Sequence, residues 1–193
     1  MKVWSSILVI ALLVIASGSQ FLKQAWLAGI FGPEIYAGWA TAILASQLLY
    51  NFGGLGYHNF SARYSALYES RQKFFLMNRL VSRQYVIYAY FLPISIPILY
   101  YLLAKPTFTL FGFMLVYSIA NVFLNTSATP IYVRSSKEFS TINALRGSVG
   151  CAIAIFTCYA TGSLVLTLLS ESLWIFLLGI LILKRGKFKF KKE

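Results

Sequence analysis

The sequence predicts an all-α fold: a polytopic membrane bundle of about six transmembrane helices. Three observations carry that prediction. Of 193 residues, 59% are hydrophobic and only 11% charged, with a mean hydropathy of +0.71; a soluble domain has about 25% charged residues. The apolar residues gather in runs close to the ~20 residues that cross a bilayer. The basic residues gather in the gaps between those runs and at the C-terminal end.

The runs cover roughly 4–28, 35–57, 84–104, 107–126, 145–161 and 163–183. The bundle is thus expected over 1–183, followed by a basic cytoplasmic tail over 184–193. Met1-Lys2 and the trio Ala16-Ser17-Gly18 resemble a cleavable signal peptide. The apolar character continues past that trio to Phe31, which favours a span. Gly32-Pro33-Glu34, Lys105-Pro106 and Gly162-Ser163 mark three tight turns, so consecutive helices should pack antiparallel.

Lys and Arg set the orientation. With a cytoplasmic N-terminus, the inner side holds Lys2, then Arg63, Arg71, Lys73, Arg79 and Arg83, then Arg134, Lys137 and Arg146, and last the basic tail. Of 17 basic residues only Lys23 and Lys105 fall outside. Both termini are therefore expected in the cytoplasm. The net charge of +12 sits in loops and tail rather than on one face, which argues against nucleic acid as a partner and for the lipid bilayer. The tail interleaves basic residues with Phe188 and Phe190 and reads as an anchor on anionic lipid.

The first two spans carry polar residues at membrane depth. Ser17, Gln20 and Gln24 share a helical face, with Lys23 beside it. Gln47, Asn51, Gly54 and His58 share another in the second span. The third span contains Pro93 and Pro97, each of which removes a backbone donor and should kink the helix. The fourth carries a polar stripe of Ser118, Asn121, Asn125 and Thr129, and Pro130 is expected to end it. The fifth has Gly147, Gly150, Cys151 and Ala154, small residues at spacings that permit close helix contact. The sixth holds Glu171 at depth, where a carboxylate must be protonated, paired or facing water. Glu171 is a candidate ion-coupling group; the competing reading is a bond between helices. For Lys23 the alternatives are a cation in a central cavity or a side chain snorkelling to the headgroups.

Enzymatic chemistry is not expected. The chain has no Asp and a single His. No metal motif, phosphate-binding Gly-rich loop or nucleophile motif is present, so no metal site or cofactor is predicted. Cys151 and Cys158 lie ~10.5 Å apart along one helix, too far for a disulfide.

Three segments carry a family resemblance. Phe31-Gly32-Pro33-Glu34-Ile35-Tyr36-Ala37-Gly38-Trp39 resembles the first outside turn of polysaccharide (O-antigen type) flippases, Gly-Pro-Glu-x-Tyr-Gly-x-Trp. Asn51-Phe52-Gly53-Gly54-Leu55-Gly56, followed by Arg63 and a basic loop, resembles their Asp-Phe-Gly-Leu turn into the first cytoplasmic loop. Segment 134–147, with Glu138-Phe139 and Arg146-Gly147, is similar to their second cytoplasmic loop. The turn glycine is displaced to Gly38, and Asn51 replaces the usual Asp. The family belongs to the multidrug/oligosaccharidyl-lipid/polysaccharide superfamily and has two pseudo-symmetric bundles. This chain resembles the first lobe only.

The resemblance implies a transporter lobe in the bacterial inner membrane that flips a polyprenyl-diphosphate-linked glycan by alternating access. A second lobe, self or separate, would complete it unless the chain is a truncated product, and polysaccharide-assembly proteins would be partners. The implied pathway residues are Gln20, Gln24, Gln47, Asn51, Asn121 and Asn125 for sugar, with Lys23 and Arg63 for diphosphate. The rival expectations are a non-transporting structural or assembly protein and a proton-coupled small-molecule antiporter.

Overall fold

The computed structural model describes residues 2–53, 56–102 and 108–189. Gly54, the Lys105-Pro106 turn and the last four residues lie outside them, as do the side chains of Glu34, His58 and Arg134 and those beyond Lys184. Among the described residues the fold is all-helical: α1 (Lys2–Gly53), α2 (Tyr57–Ser70), α3 (Phe74–Leu102), α4 (Phe108–Arg134), α5 (Ser136–Thr161) and α6 (Leu164–Lys189).

α1 is two arms, broken at Gly32, where φ is 76° and ψ 174°. That backbone region is essentially restricted to glycine. Lys23 in the first arm lies 4.8 Å from the ring centre of Trp39 in the second. An unbroken helix would hold the two ~24 Å apart, so the chain doubles back at Gly32 as the sequence predicts. Gly162 makes the equivalent reversal between α5 and α6, with φ at 62°. Thr157 there donates to Ser170 at 3.1 Å across the hairpin.

α4 is the central post. Its apolar stretch is 61% buried, against 6% for the first arm of α1, and it touches every other helix. One apolar cluster joins Leu27, Trp39, Met114, Leu124, Leu168 and Ile175 across α1, α4 and α6. A second joins Leu49, Tyr88, Leu99, Phe111 and Val122 across the second arm, α3 and α4. α1 packs most extensively on α5. A β-carbon on Gly147 would sit 2.8 Å from the Ala16 carbonyl oxygen, so the small residues of α5 permit the close approach that their spacing predicts.

Among the described residues, four helical segments are long and apolar enough to cross a membrane: Ser6–Ile30, Phe111–Tyr132, Ser136–Thr161 and Leu164–Lys184. The second arm of α1 and α3 are long but more polar, carrying Ser46, Gln47 and Asn51 in one case and Arg79, Arg83 and Gln84 in the other. Large apolar side chains such as Ile10, Val14, Phe21 and Leu22 lie exposed along the first arm, as a lipid-facing surface requires.

Several features differ from the sequence expectation, among them the start of α3 at Phe74 rather than near 84. α4 continues through Pro130 to Arg134. α5 begins at Ser136, capped by the Ser135 side chain, which accepts from the Glu138 amide at 3.2 Å. The expected basic loop between the second and third spans contains a separate helix, α2. The basic tail begins as helix, since α6 runs to Lys189.

Candidate functional site

The inward face of the first arm is set by Ala16, Gln20, Lys23 and Leu27, at alternating spacings of four and three. Lys23 and Leu27 are fully buried, Gln20 is half-buried, and Ser17 is exposed. The polar face is therefore centred on Lys23 rather than on the line from Ser17 to Gln24. Gln24 is half-buried on its flank.

Lys23 does not snorkel. Its ammonium donates to Glu171 Oε1 at 2.7 Å, with the two side chains 0% and 1% exposed. The same ammonium faces the Trp39 ring, a cation–π contact, and Trp39 tilts against Tyr117 at 5.9 Å between centroids. The ion pair ties α1 to α6 at membrane depth. A buried pair of this kind compensates two charges that would each be costly alone. It uses only part of the local capacity. Glu171 Oε2, Trp39 Nε1 and Trp174 Nε1 are buried without a hydrogen-bond partner among the described residues.

From Tyr117 the polar thread continues along α4. Asn121 Nδ2 donates to the Tyr117 carbonyl at 2.8 Å, and its Oδ1 accepts from Arg146 Nη2. Arg146 Nη1 reaches Asn125 Oδ1 at 3.5 Å. Arg146, counted in a cytoplasmic loop from sequence, lies nearly three turns into α5, ~15 Å from its start. Among the described residues its side-chain hydrogen-bond partners are neutral carboxamides. The two cations thus differ: Lys23 is paired with Glu171 inside the bundle, whereas Arg146 is held half-buried with no acidic partner among the described residues.

The remaining stripe on α4 is satisfied locally. Ser118 donates to the Met114 carbonyl at 2.7 Å and Thr129 to the Asn125 carbonyl at 3.2 Å, the usual back-bonding of hydroxyls within a helix. Gln47, Asn51 and Arg63 are exposed. The eight pathway candidates therefore do not converge on one hollow. Lys23, Asn121 and Asn125 belong to the internal thread, Gln20 and Gln24 border it, and Gln47, Asn51 and Arg63 face outward.

A second polar cluster escaped sequence reading. Ser61 on α2 donates to Gln84 Oε1 on α3 at 2.8 Å, and Gln84 Nε2 reaches Thr126 Oγ1 on α4 at 3.4 Å. All three are fully buried. Tyr85 bonds Ser127 beside them at 2.7 Å. Gln84 marked only the edge of an apolar run in the sequence, and nothing local to it announced two partners on other helices. Among the described residues no cluster of three potential metal ligands occurs.

No protein-family model, no curated protein and no solved structure matches this chain.

Proposed function

We propose that this chain is a transporter lobe, forming one wall of a path for a polyprenyl-diphosphate-linked glycan across a bacterial inner membrane, with both termini cytoplasmic and six crossings. The observation that carries the reading is Arg146, a membrane-embedded cation whose partners Asn121 and Asn125 orient it without neutralising it. A cation so held suits an anionic group crossing the bilayer. The amides of Gln47 and Asn51 sit on an exposed face of an otherwise apolar arm, where they suit sugar hydroxyls on the side open to a second lobe. The turn at Gly32 and the segment around Arg146-Gly147 are two of the places where the sequence resembles polysaccharide flippases.

Deleting the gene in the cell that encodes it tests the proposal. Loss of surface glycan, restored by the wild-type chain and not by an Arg146→Gln variant at equal membrane level, is the expected result. An intact glycan would instead support the structural or assembly reading, which the Lys23–Glu171 pair favours, because that pair spends a membrane cation on joining two helices.

A further inference from the structure

We propose that α2 is an in-plane membrane-surface helix that binds anionic phospholipid headgroups through Arg63, Arg71 and Lys73. The proposal rests on the geometry of α2 and is independent of the transport reading.

α2 is 14 residues long, ~21 Å, too short to cross a hydrocarbon core of ~30 Å. Its faces are reversed relative to a helix docked on a water-soluble protein. The packed face is small and polar: Ser61 and Ser65 are fully buried, and Ser61 is tied to Gln84. The outer flank is apolar. Phe60, Tyr64 and Leu67 follow at i, i+4 and i+7 and are 44%, 38% and 40% exposed. The rings of Tyr57, Phe60, Tyr64 and Tyr68 form a ladder, with centroids 5.3 Å apart from Tyr57 to Phe60, 4.3 Å from Phe60 to Tyr64 and 6.3 Å from Tyr64 to Tyr68. In water such an outer flank would be costly. At the boundary between headgroups and acyl chains, it is the surface that an interfacial helix presents, with tyrosines at headgroup depth.

The charges fit the same placement. Around the helix, Arg63 borders the apolar flank, and beyond it lie Asn59 and Ser70, all exposed. Arg71 and Lys73 are exposed in the turn that closes α2, where Gln72 adopts φ 56° and the Lys73 amide donates to the Tyr68 carbonyl at 2.8 Å. That turn fixes two cations at the end of the aromatic ladder. One cation on α2 and two in the turn that closes it select acidic headgroups. α2 also follows directly on a long arm of α1 and precedes α3, so it is tethered at one end of the bundle.

The test uses the full-length protein in phosphatidylcholine bilayers with and without phosphatidylglycerol. Nitroxide probes are placed by Leu67→Cys and Ser70→Cys, Cys151 and Cys158 being buried. The probe at 67 is expected to collide more often with oxygen than with a water-soluble nickel chelate, and the probe at 70 the reverse. A water-exposed probe at 67, or one shielded from both reagents as by a protein partner, overturns the proposal. In a second measurement, the excess of phosphatidylglycerol over phosphatidylcholine retained on the purified protein should fall roughly fivefold per basic side chain removed in R63Q, R71Q and K73Q and their combination. An unchanged lipid ratio in the triple variant overturns the headgroup assignment.

Discussion

Lys23 and Glu171 stand on the first and last helices, 148 residues apart in sequence, and their charged groups meet at 2.7 Å out of reach of solvent. Removing one member leaves the other charge buried and alone. Lys23→Met or Glu171→Leu should each destabilise the bundle by roughly 3–5 kcal/mol, whereas the double substitution should lie close to wild type. A double-mutant cycle of denaturant unfolding in micelles measures this coupling. Additive losses would remove the ion pair from the account.

Gly147 admits a close approach of α5 to the backbone of α1. Its α-carbon faces the Ala16 carbonyl, and an added methyl would lie 2.8 Å from that oxygen. Backbone is the obstacle, so α1 and α5 must separate. Gly147→Ala should lower stability by about 1–3 kcal/mol, and Gly147→Val by more. Gly112→Ala, which meets nothing within 4 Å, should be far milder in the same thermal unfolding experiment.

Gln84 joins three helices through one carboxamide. Gln84→Leu preserves the bulk but removes the carboxamide that accepts from Ser61 and reaches Thr126 in a buried place. The expected cost is about 1–3 kcal/mol, concentrated on the seating of α2. Limited trypsin cleavage at Arg71 and Lys73 should accelerate while cleavage elsewhere does not. Uniform acceleration would mean that Gln84 stabilises the whole bundle rather than this corner.

Gly32 holds a backbone conformation essentially closed to other residues. Gly32→Ala should cost about 1–3 kcal/mol and loosen the return of Trp39 onto Lys23. Tryptophan emission, compared between this variant and Lys23→Met, reports whether the two changes disturb the same contact.

What was legible in the sequence is what a single helix encodes. Runs of apolar residues gave the long helices, Gly32 and Gly162 gave the reversals, and Gly147 with its small neighbours gave a close contact. The polar positions were also visible one helix at a time. Their partners were not, because pairing depends on how helices rotate against one another. Ser17 illustrates the limit: grouped by periodicity with Gln20 and Gln24, it is turned outward by packing centred on Lys23 and Ala16. Arg146 falls among the basic residues that flank the apolar runs, and its bonds to two asparagines on α4 cannot be read from α5 alone. α2 was hidden for a related reason. Its apolar flank is narrow and its packed face is serine, the opposite of the pattern that marks a docked helix.

The proposed division of labour is that Lys23 joins two helices through Glu171 while Arg146 meets a transported anion. Surface glycan measured in cells carrying Arg146→Gln, beside cells carrying the Lys23→Met/Glu171→Leu pair, tests it most directly at matched membrane levels. The expected result is glycan lost with Arg146→Gln and kept with the double variant. Normal glycan with Arg146→Gln, or its loss with the neutral pair, would contradict it.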